Sequence, residues 1–293
     1  MLDYKLLEAF AAVVDEGGFE KGARVLALTQ SAVSQRVKAL EEEARQVLLV
    51  RSSPPEPTAA GRKMLSHYRK VKLLESDLGA EFGSTEEFPV LAVGLNEDSL
   101  SMWFHDAVGY FLKEREVLLD ISVDDQAQTH RLLQKGEVLG CVSERSEPFQ
   151  GCAVQYIGMM RYRLIATPEY KEKYYSQGVT QEALAKAPML VFNRKDGMQD
   201  VFLSKCIKNY RPEYPAYYMP STERFVDVVA TGIACGMLPD EQSHEYLASG
   251  ELVELVPGHQ MEMSLYWHCW NIESKLLKDF SDELVANARK LLL

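Results

Sequence analysis

The sequence predicts an α+β multidomain chain: an N-terminal winged helix-turn-helix, a long linker helix and a C-terminal two-lobed α/β domain. Three observations predict it. Apolar residues recur at three- and four-residue steps through the first sixty positions, with short breaks between the runs. One unbroken apolar stripe follows, and beyond Pro89 short apolar runs alternate with helical patterns. The boundaries read from these changes are 1–60 for the winged helix-turn-helix, 58–88 for the linker helix and hinge, and 89–293 for the two-lobed domain. Within the last, lobe I takes about 89–161 and 268–293, and lobe II about 162–267.

Taken in order, Leu6, Leu7, Phe10, Val13 and Val14 give one apolar face to a helix over residues 3–16, which Gly17 and Gly18 stop. Ala23, Leu26 and Ala27 share a side over residues 20–27. Leu28 and Thr29 then break the pattern, and a third helix runs from about 30 to 43 with Thr29 as its N-cap. Its inward face is Ala32, Val33, Val37 and Leu40; Gln30, Ser31, Ser34, Gln35 and Lys38 face out. Residues 47–51 read as a short strand, and the prolines at 54, 55 and 57 make the following stretch a hairpin tip, a wing. From Thr58, Leu65, Tyr68, Val71, Leu74, Leu78 and Phe82 form a stripe whose unbroken length favours a seam with a second copy over packing on the same chain. Residues 83–88 are the expected linker.

In the remainder, strands are expected over 90–95, 118–123 and 138–143, separated by helices over 99–113 and 129–135. A second set places strands at 163–166, 189–192 and 233–238 and helices at 180–185, 199–208 and 221–231. An aromatic strand over 264–270 and a helix over 274–293 close the chain. This alternation predicts a parallel sheet, with the ligand in the crevice at the carboxyl ends of its strands.

Composition bounds the function. The 293 residues are 46% hydrophobic and 26% charged, which excludes disorder, and no apolar run reaches the ~20 residues of a membrane helix. The first ten residues lack a basic patch followed by an apolar core, so a cytoplasmic protein is expected. Cys141, Cys152, Cys206, Cys235 and Cys269 form no C-x-x-C pair and read as small buried residues. His67, His105, His130, His244, His259 and His268 show no metal-ligand spacing, so neither metal nor cofactor is expected. The net charge of -11 is uneven: residues 1–70 carry 11 Lys and Arg against 9 Asp and Glu, which leaves -13 on the other 223. That asymmetry suits an N-terminal part that meets an anion and a remainder that meets solvent or a cationic ligand.

A short helix, a tight turn and a second helix with small polar residues facing out fit the helix-turn-helix device. Slim Gln, Ser and Lys side chains on such a helix reach base edges and phosphates in the major groove. The motif residues resemble a known family. Phe19, Ala23, Ala27-Leu28-Thr29-Gln30-Ser31-Ala32-Val33-Ser34-Gln35-Arg36-Val37, Leu40-Glu41, Leu48-Leu49-Val50-Arg51 and Thr58-Ala59-Ala60-Gly61 look like the winged helix-turn-helix of LysR-type transcriptional regulators. The resemblance implies promoter DNA as a partner, a homodimer or tetramer paired through the linker helix, RNA polymerase as a candidate contact, and an effector domain resembling periplasmic binding proteins. Ala44-Arg45 departs from the glycine that usually ends the recognition helix. Candidate phosphate contacts are Arg36, Lys38, Arg51 and Arg62, and candidate base-edge contacts are Gln30, Ser31, Ser34 and Gln35. Arg36 or Arg62 could instead pair with Glu41, Glu42 or Glu43.

In the C-terminal part, Asn96-Glu97-Asp98-Ser99 lies between the first strand and its helix, where backbone N–H groups suit an anion, although Asp98 could be a plain cap. Asp124-Asp125 follows the second strand, where adjacent carboxylates can balance a cation. Together they suit a ligand with one anionic and one cationic end, of which a basic amino acid is the simplest. Leu95 to Leu100, Trp103, Val123 to Gln126, Gly136 to Gly140, Tyr156, Phe192 to Asp196, Pro220-Ser221 and Leu265-Tyr266-Trp267 resemble the lysine- and arginine-responsive ArgP/LysG branch, except that Glu97 stands where the branch more often has a small residue. By that resemblance, Asn96, Asp98 and Ser99, then Asp124 and Asp125, then Asn193, Asp196 and Ser221 are the effector-binding candidates. Arg194-Lys195 either pairs with neighbouring Asp196 and Asp200 or meets the ligand carboxylate. The expected function is a regulator of basic amino-acid export or metabolism. The alternatives are a regulator of another effector, or a cytosolic amino-acid enzyme, for which no G-x-S-x-G, Walker or G-x-G-x-x-G signature is present.

Overall fold

The computed structural model describes residues 2–82, 88–124 and 129–293. The expected linker at 83–88 therefore lies almost wholly outside the described residues, as does Asp125.

The N-terminal unit is built from α1 (Tyr4–Asp15), α2 (Phe19–Val25), α3 (Gln30–Ala44) and the strand pair β1 (Leu49–Val50) and β2 (Glu56–Pro57). Its core is Leu7, Phe10, Val13, Val33, Val37, Leu40, Leu48 and Leu65, all buried, on the faces that the periodicity assigned. The second helix is shorter than 20–27 because Ala27 turns left-handed (φ +51°) and ends it. Thr29 caps α3 through its hydroxyl, which accepts from Ala32 N at 3.2 Å. At the other end Arg45, in the left-handed conformation (φ +51°), performs the C-cap turn that a glycine makes at lower cost.

The wing is held from both sides. Glu41 Oε1 accepts from Leu48 N (2.8 Å) and Leu49 N (3.2 Å), so this acid ties α3 to the strand and is no ion-pair partner for Arg36 or Arg62. Thr58 caps α4 (Ala59–Glu81), accepting from Gly61 N while its hydroxyl donates to Val47 O. A Cβ on Gly61 would stand 2.1 Å from Leu48 O, so only glycine lets the helix approach the wing this closely.

The α4 stripe is not one continuous seam. Leu65 belongs to the N-terminal core, whereas Leu73 is buried against the C-terminal domain. Leu74, Leu78 and Phe82 are exposed. The helix also grips the C-terminal domain: Arg69 donates to Gly136 O and Glu137 O and reaches Asp15 at 2.7 Å. Lys70 sits 3.1 Å from the centre of the Trp270 ring, and Asp77 accepts from Leu276 N.

The C-terminal domain has β3 (Val90–Leu95), α5 (Glu97–Ser99), a π turn (Leu100–Phe104), α6 (His105–Arg115), β4 (Leu118–Val123), α7 (Thr129–Lys135) and β5 (Gly140–Ser143). Then come β6 (Cys152–Ala166), α8 (Pro168–Tyr175), α9 (Gln181–Leu184), β7 (Met189–Val191), α10 (Met198–Cys206), β8 (Ala216–Tyr218), α11 (Phe225–Ala230), β9 (Cys235–Pro239), α12 (Asp240–Ser249), β10 (Val253–Glu254), β11 (Met261–Trp270) and α13 (Lys275–Leu291). The sheet order is β4-β3-β5-β11-β6-β9-β7-β8, with β10 also on β6.

A wholly parallel sheet is thus corrected to a mixed one. β3, β4 and β5 are mutually parallel, as are β7, β8 and β9, but β6 and β11 run antiparallel to each other and to the strands beside them. The stretch expected as a strand over 163–166 is the end of fifteen-residue β6, which with β11 passes from one half to the other. Their register slips between Leu265 and Tyr266, opposite Gly158, and this irregularity bends the pair between the halves. α8 and α12 lie outside the helices expected from the sequence.

Candidate functional site

The parallel strands of both halves point their carboxyl ends at one cleft of about 280 Å³, at the small end of the range for small-molecule sites. Asn96, Glu97 and Asp98 follow β3, Asp124 follows β4 and Glu144 follows β5. Across the opening, Phe192, Lys195, Asp196, Met198 and Gln199 follow β7, Thr222 follows β8, and Pro239 and Gln242 stand at the end of β9. The long strands supply the floor through Tyr162, Met261 and Met263.

Asp98 is the deepest acid. It is not a cap: it sits within α5, and its Oδ2 accepts from the Tyr162 hydroxyl at 2.6 Å. Burial pushes its carboxyl above the usual range, the Tyr162 hydrogen bond pulls it down, and the nearby Asp196 charge raises it again. Tyr162 is itself held well above its ordinary value, by burial first and then by Asp98. Glu97 reaches across the cleft, its Oε1 accepting from Thr222 N at 3.2 Å. Its carboxyl is raised by burial and by the charges of Asp98 and Glu223, against the Thr222 hydrogen bond. The carboxylates thus repel one another in a poorly solvated space, a condition that a bound cation relieves.

Asp196 is satisfied locally. It accepts from Phe192 N, Met198 N and Gln199 Nε2, which shapes the loop at the start of α10. Asn193 does not line the cleft; its Oδ1 accepts from Lys195 N and forms the turn that presents Lys195. Arg194 stacks on Tyr218 at 4.7 Å, while Lys195 lines the opening. The structure therefore brings Asn96, Asp98, Asp124 and Asp196 together, and leaves Ser99 buried beneath the cleft and Ser221 one residue short of Thr222, which does line it. Glu144, Thr222 and Gln242 were not singled out from the sequence, and Phe192 only as part of the resemblance, although the rule that placed Asp124 after β4 applies equally to Glu144 after β5. Tyr162, in mid-strand, carries no local signal.

In the N-terminal unit Gln30, Ser31, Gln35, Lys38 and Arg51 are exposed, with Ser34 and Arg36 half-buried on the same helix. Arg62 is corrected from a possible partner of Glu41 to Glu43: its guanidinium donates to Pro57 O at 2.7 Å and braces the wing. The ion pair that does form on this face is Lys38–Glu42, at 3.6 Å. Among the described residues no His, Cys, Asp and Glu cluster could hold a metal ion, and no helix is long and apolar enough to cross a membrane.

A winged helix-turn-helix joined to a two-halved cleft defines a ligand-responsive transcription regulator. Residues 4–62 match the bacterial regulatory helix-turn-helix protein of the lysR family, and residues 86–289 match the LysR substrate binding domain. The chain belongs to the LysR family and is a DNA-binding transcriptional regulator, not an enzyme. It is 42% identical to the HTH-type transcriptional regulator ArgP of Pseudomonas aeruginosa over 294 residues, covering 98% of this chain and 96% of that one. The crystal structure of ArgP from Mycobacterium tuberculosis superposes with a TM-score of 0.87 at 37% identity, covering 100% of this chain and 99% of the other. Full-length LysG of Corynebacterium glutamicum with bound effector Arg superposes with a TM-score of 0.79 at 32% identity over 99% of each chain.

Proposed function

We propose that the protein senses a basic amino acid, lysine or arginine, and thereby controls genes of its export or metabolism, acting on promoter DNA in the cytoplasm as a homodimer or tetramer. The observation that carries this reading is the charge of the cleft: among the described residues Glu97, Asp98, Asp124, Glu144 and Asp196 line it against one ammonium, that of Lys195. A cationic head meets the acids at the base, the aliphatic stem lies along Met261, Met263 and Phe192, and the carboxylate faces Lys195 at the opening. The arginine bound to LysG supports the same class. Asp125 remains a candidate neighbour of Asp124, and Asn193, Ser99 and Ser221 act as supports of the loops that bear the contacts.

Gln30, Ser31, Ser34 and Gln35 are proposed to read base edges, with Lys38, Arg36, Arg51 and Arg62 on phosphates, Arg62 doing so only at the cost of its hold on the wing. The exposed Leu74, Leu78 and Phe82 of α4 offer the apolar face for a second copy. Ligand closure alters DNA occupancy only in so far as the ligand prefers one arrangement of the paired units, and RNA polymerase then meets the altered assembly.

The test is calorimetric titration of the full chain with lysine, arginine and the neutral isosteres norleucine and citrulline, followed by a salt series on the DNA upstream of its own gene. Lysine or arginine binds and the isosteres do not; binding of the isosteres with equal affinity would sink the basic-ligand reading. Arg51→Ala lowers the slope of log affinity against log salt by about 0.9. An unchanged slope removes Arg51 from the phosphate contacts.

A further inference from the structure

The long helix α4 has two faces of different chemistry. Leu74, Leu78 and Phe82 are apolar and exposed. Ser66, Arg69, Lys70, Leu73 and Asp77, at positions i, i+3, i+4, i+7 and i+11, share the face that meets the chain's own C-terminal domain. A Cβ on Gly136, whose φ is +70°, would stand 2.1 Å from the Ser66 side chain, so α4 and the turn after α7 pack with no room between them. Lys70 lies over the Trp270 ring, and Asp77 accepts from Leu276 N at 3.1 Å, at the start of α13. These contacts seat α4 on the first half of the domain.

Arg69 stands on this face and also reaches away from it. Its Nη1 donates to Gly136 O at 3.1 Å and to Glu137 O at 3.0 Å, while Nη2 donates to Asp15 Oδ1 at 2.7 Å. One planar guanidinium thus joins α4, the turn between α7 and β5, and the last residue of α1, a three-way contact that needs the fixed fork of an arginine. Phe10 and Val13 of α1 share one core with Val33 and Val37 of α3, so what holds Asp15 also places the outward face of α3. In the other direction, residues 137–144 run from an acceptor of Arg69 to the cleft. Val138 to Ser143 are buried, β5 lies between β3 and β11, and Glu144 lines the cleft. A close-packed strand of this kind passes a displacement on rather than absorbing it.

We propose that Arg69 is the positioning residue that couples the cleft to the DNA-binding unit: it links the β5 segment, which ends at the cleft, to α1, which places α3. Arg69 is outside the cleft lining and outside α3, so it acts through its partners and not by touching the ligand or the bases. The inference rests on the reading of the cleft as the site of a basic amino acid and adds the route by which that ligand reaches the DNA. The ligand's effect on DNA affinity is a coupling free energy between two sites, and it lasts only while Arg69 holds both Asp15 and the 136–137 turn.

The experiment measures affinity for the DNA upstream of the protein's own gene by fluorescence anisotropy, with and without saturating lysine or arginine, in the full chain and in Arg69→Ala. Calorimetric titration with the same amino acids checks the cleft. In the unsubstituted protein the ligand shifts DNA affinity by about fivefold or more. In Arg69→Ala the shift falls to about twofold or less, while ligand affinity without DNA and DNA affinity without ligand each stay within about threefold. Asp15→Ala, at an exposed position, leaves the hold of Arg69 on Gly136 and Glu137 in place, gives the same loss, and decides the matter if Arg69→Ala does not fold. A larger remaining shift in either folded variant overturns the inference. So does a bound ligand that shifts DNA affinity by about twofold or less in the unsubstituted protein. If neither amino acid binds, the basic-ligand reading falls, and a double-mutant cycle on DNA affinity alone judges Arg69. Glu97→Ala removes the contact with Thr222 that joins the halves, and Glu97 and Arg69 stand on separate elements. Non-additivity with Arg69→Ala beyond about twofold keeps the inference, and additivity within about twofold overturns it.

Discussion

The outward face of α3 and the acidic cleft are both made of polar residues, yet they obey opposite physics. On α3 the candidates come from nine consecutive positions, project from one helix and stand largely in water, where charges interact weakly with each other and attract a polyanion at long range. In the cleft, partners as far apart as Glu97 and Thr222 are brought within hydrogen-bonding distance, and burial makes each charge expensive unless something opposite arrives. The first surface is suited to a large partner recognised by many weak contacts. The second is suited to a small one recognised by a few strong contacts.

The largest effect that can break this contrast is on the cores beneath the two surfaces, which are separate clusters. Phe10 is fully buried in the N-terminal core, and Phe10→Ala is expected to cost about 3–5 kcal/mol there. In thermal and urea unfolding the N-terminal unit melts first, DNA binding is lost, and stabilisation by a basic ligand persists. Loss of the ligand response at the same temperature would show instead that the contacts of Arg69, Lys70 and Asp77 make the chain one cooperative unit.

A smaller effect separates the surfaces by pH. Because Asp98 and Glu97 are raised in the folded chain, the native state binds protons more tightly than the unfolded one between their ordinary and raised values, and stability falls as pH rises through that window. Affinity for the proposed basic ligand is expected to run the other way, since a cation needs the carboxylates ionised. From about pH 7 to pH 4 the unliganded protein is therefore expected to lose less stability than its other carboxylates dictate, while ligand-induced stabilisation disappears. Asp98→Asn removes part of the first dependence and weakens the ligand by roughly 1.5–3 kcal/mol, the worth of a hydrogen bond to a charged group. Ligand stabilisation that stays constant across that range, or survives Asp98→Asn intact, would remove Asp98 from the contacts.

The same contrast explains what could be read from the sequence. Helical periodicity reports which side of an element faces water, so the α3 face, its Thr29 cap and the wing were legible to within a residue or two. The strand-end rule likewise located Asn96, Asp98 and Asp124, and it extends without change to Glu144, the residue after β5. What periodicity does not carry is the partner: that Tyr162 supports Asp98, that Glu97 reaches Thr222, and that β6 and β11 run antiparallel through both halves. Those depend on strand pairing over long separations. Two long strands shared between halves resemble, in one dimension, strands of either.

The smallest predicted effect tests the α3 surface alone. Lys38 and Glu42 pair at 3.6 Å with side chains 71% and 68% exposed, so the pair contributes at most about 0.3–0.5 kcal/mol to folding. Glu42→Gln should leave the melting temperature almost unmoved. It also removes one negative charge beside a lysine proposed to meet phosphate, and near a polyanion that repulsion counts for more than the pair does in the free protein. DNA affinity by fluorescence anisotropy is expected to rise about two- to threefold at low salt and to converge on that of the unsubstituted protein near ~0.2 M, where the screening length falls below about 8 Å. Equal affinities at low salt would mean that Lys38 points away from the backbone, and the α3 surface would then keep its base-reading residues while its phosphate contacts moved to Arg36 and the wing.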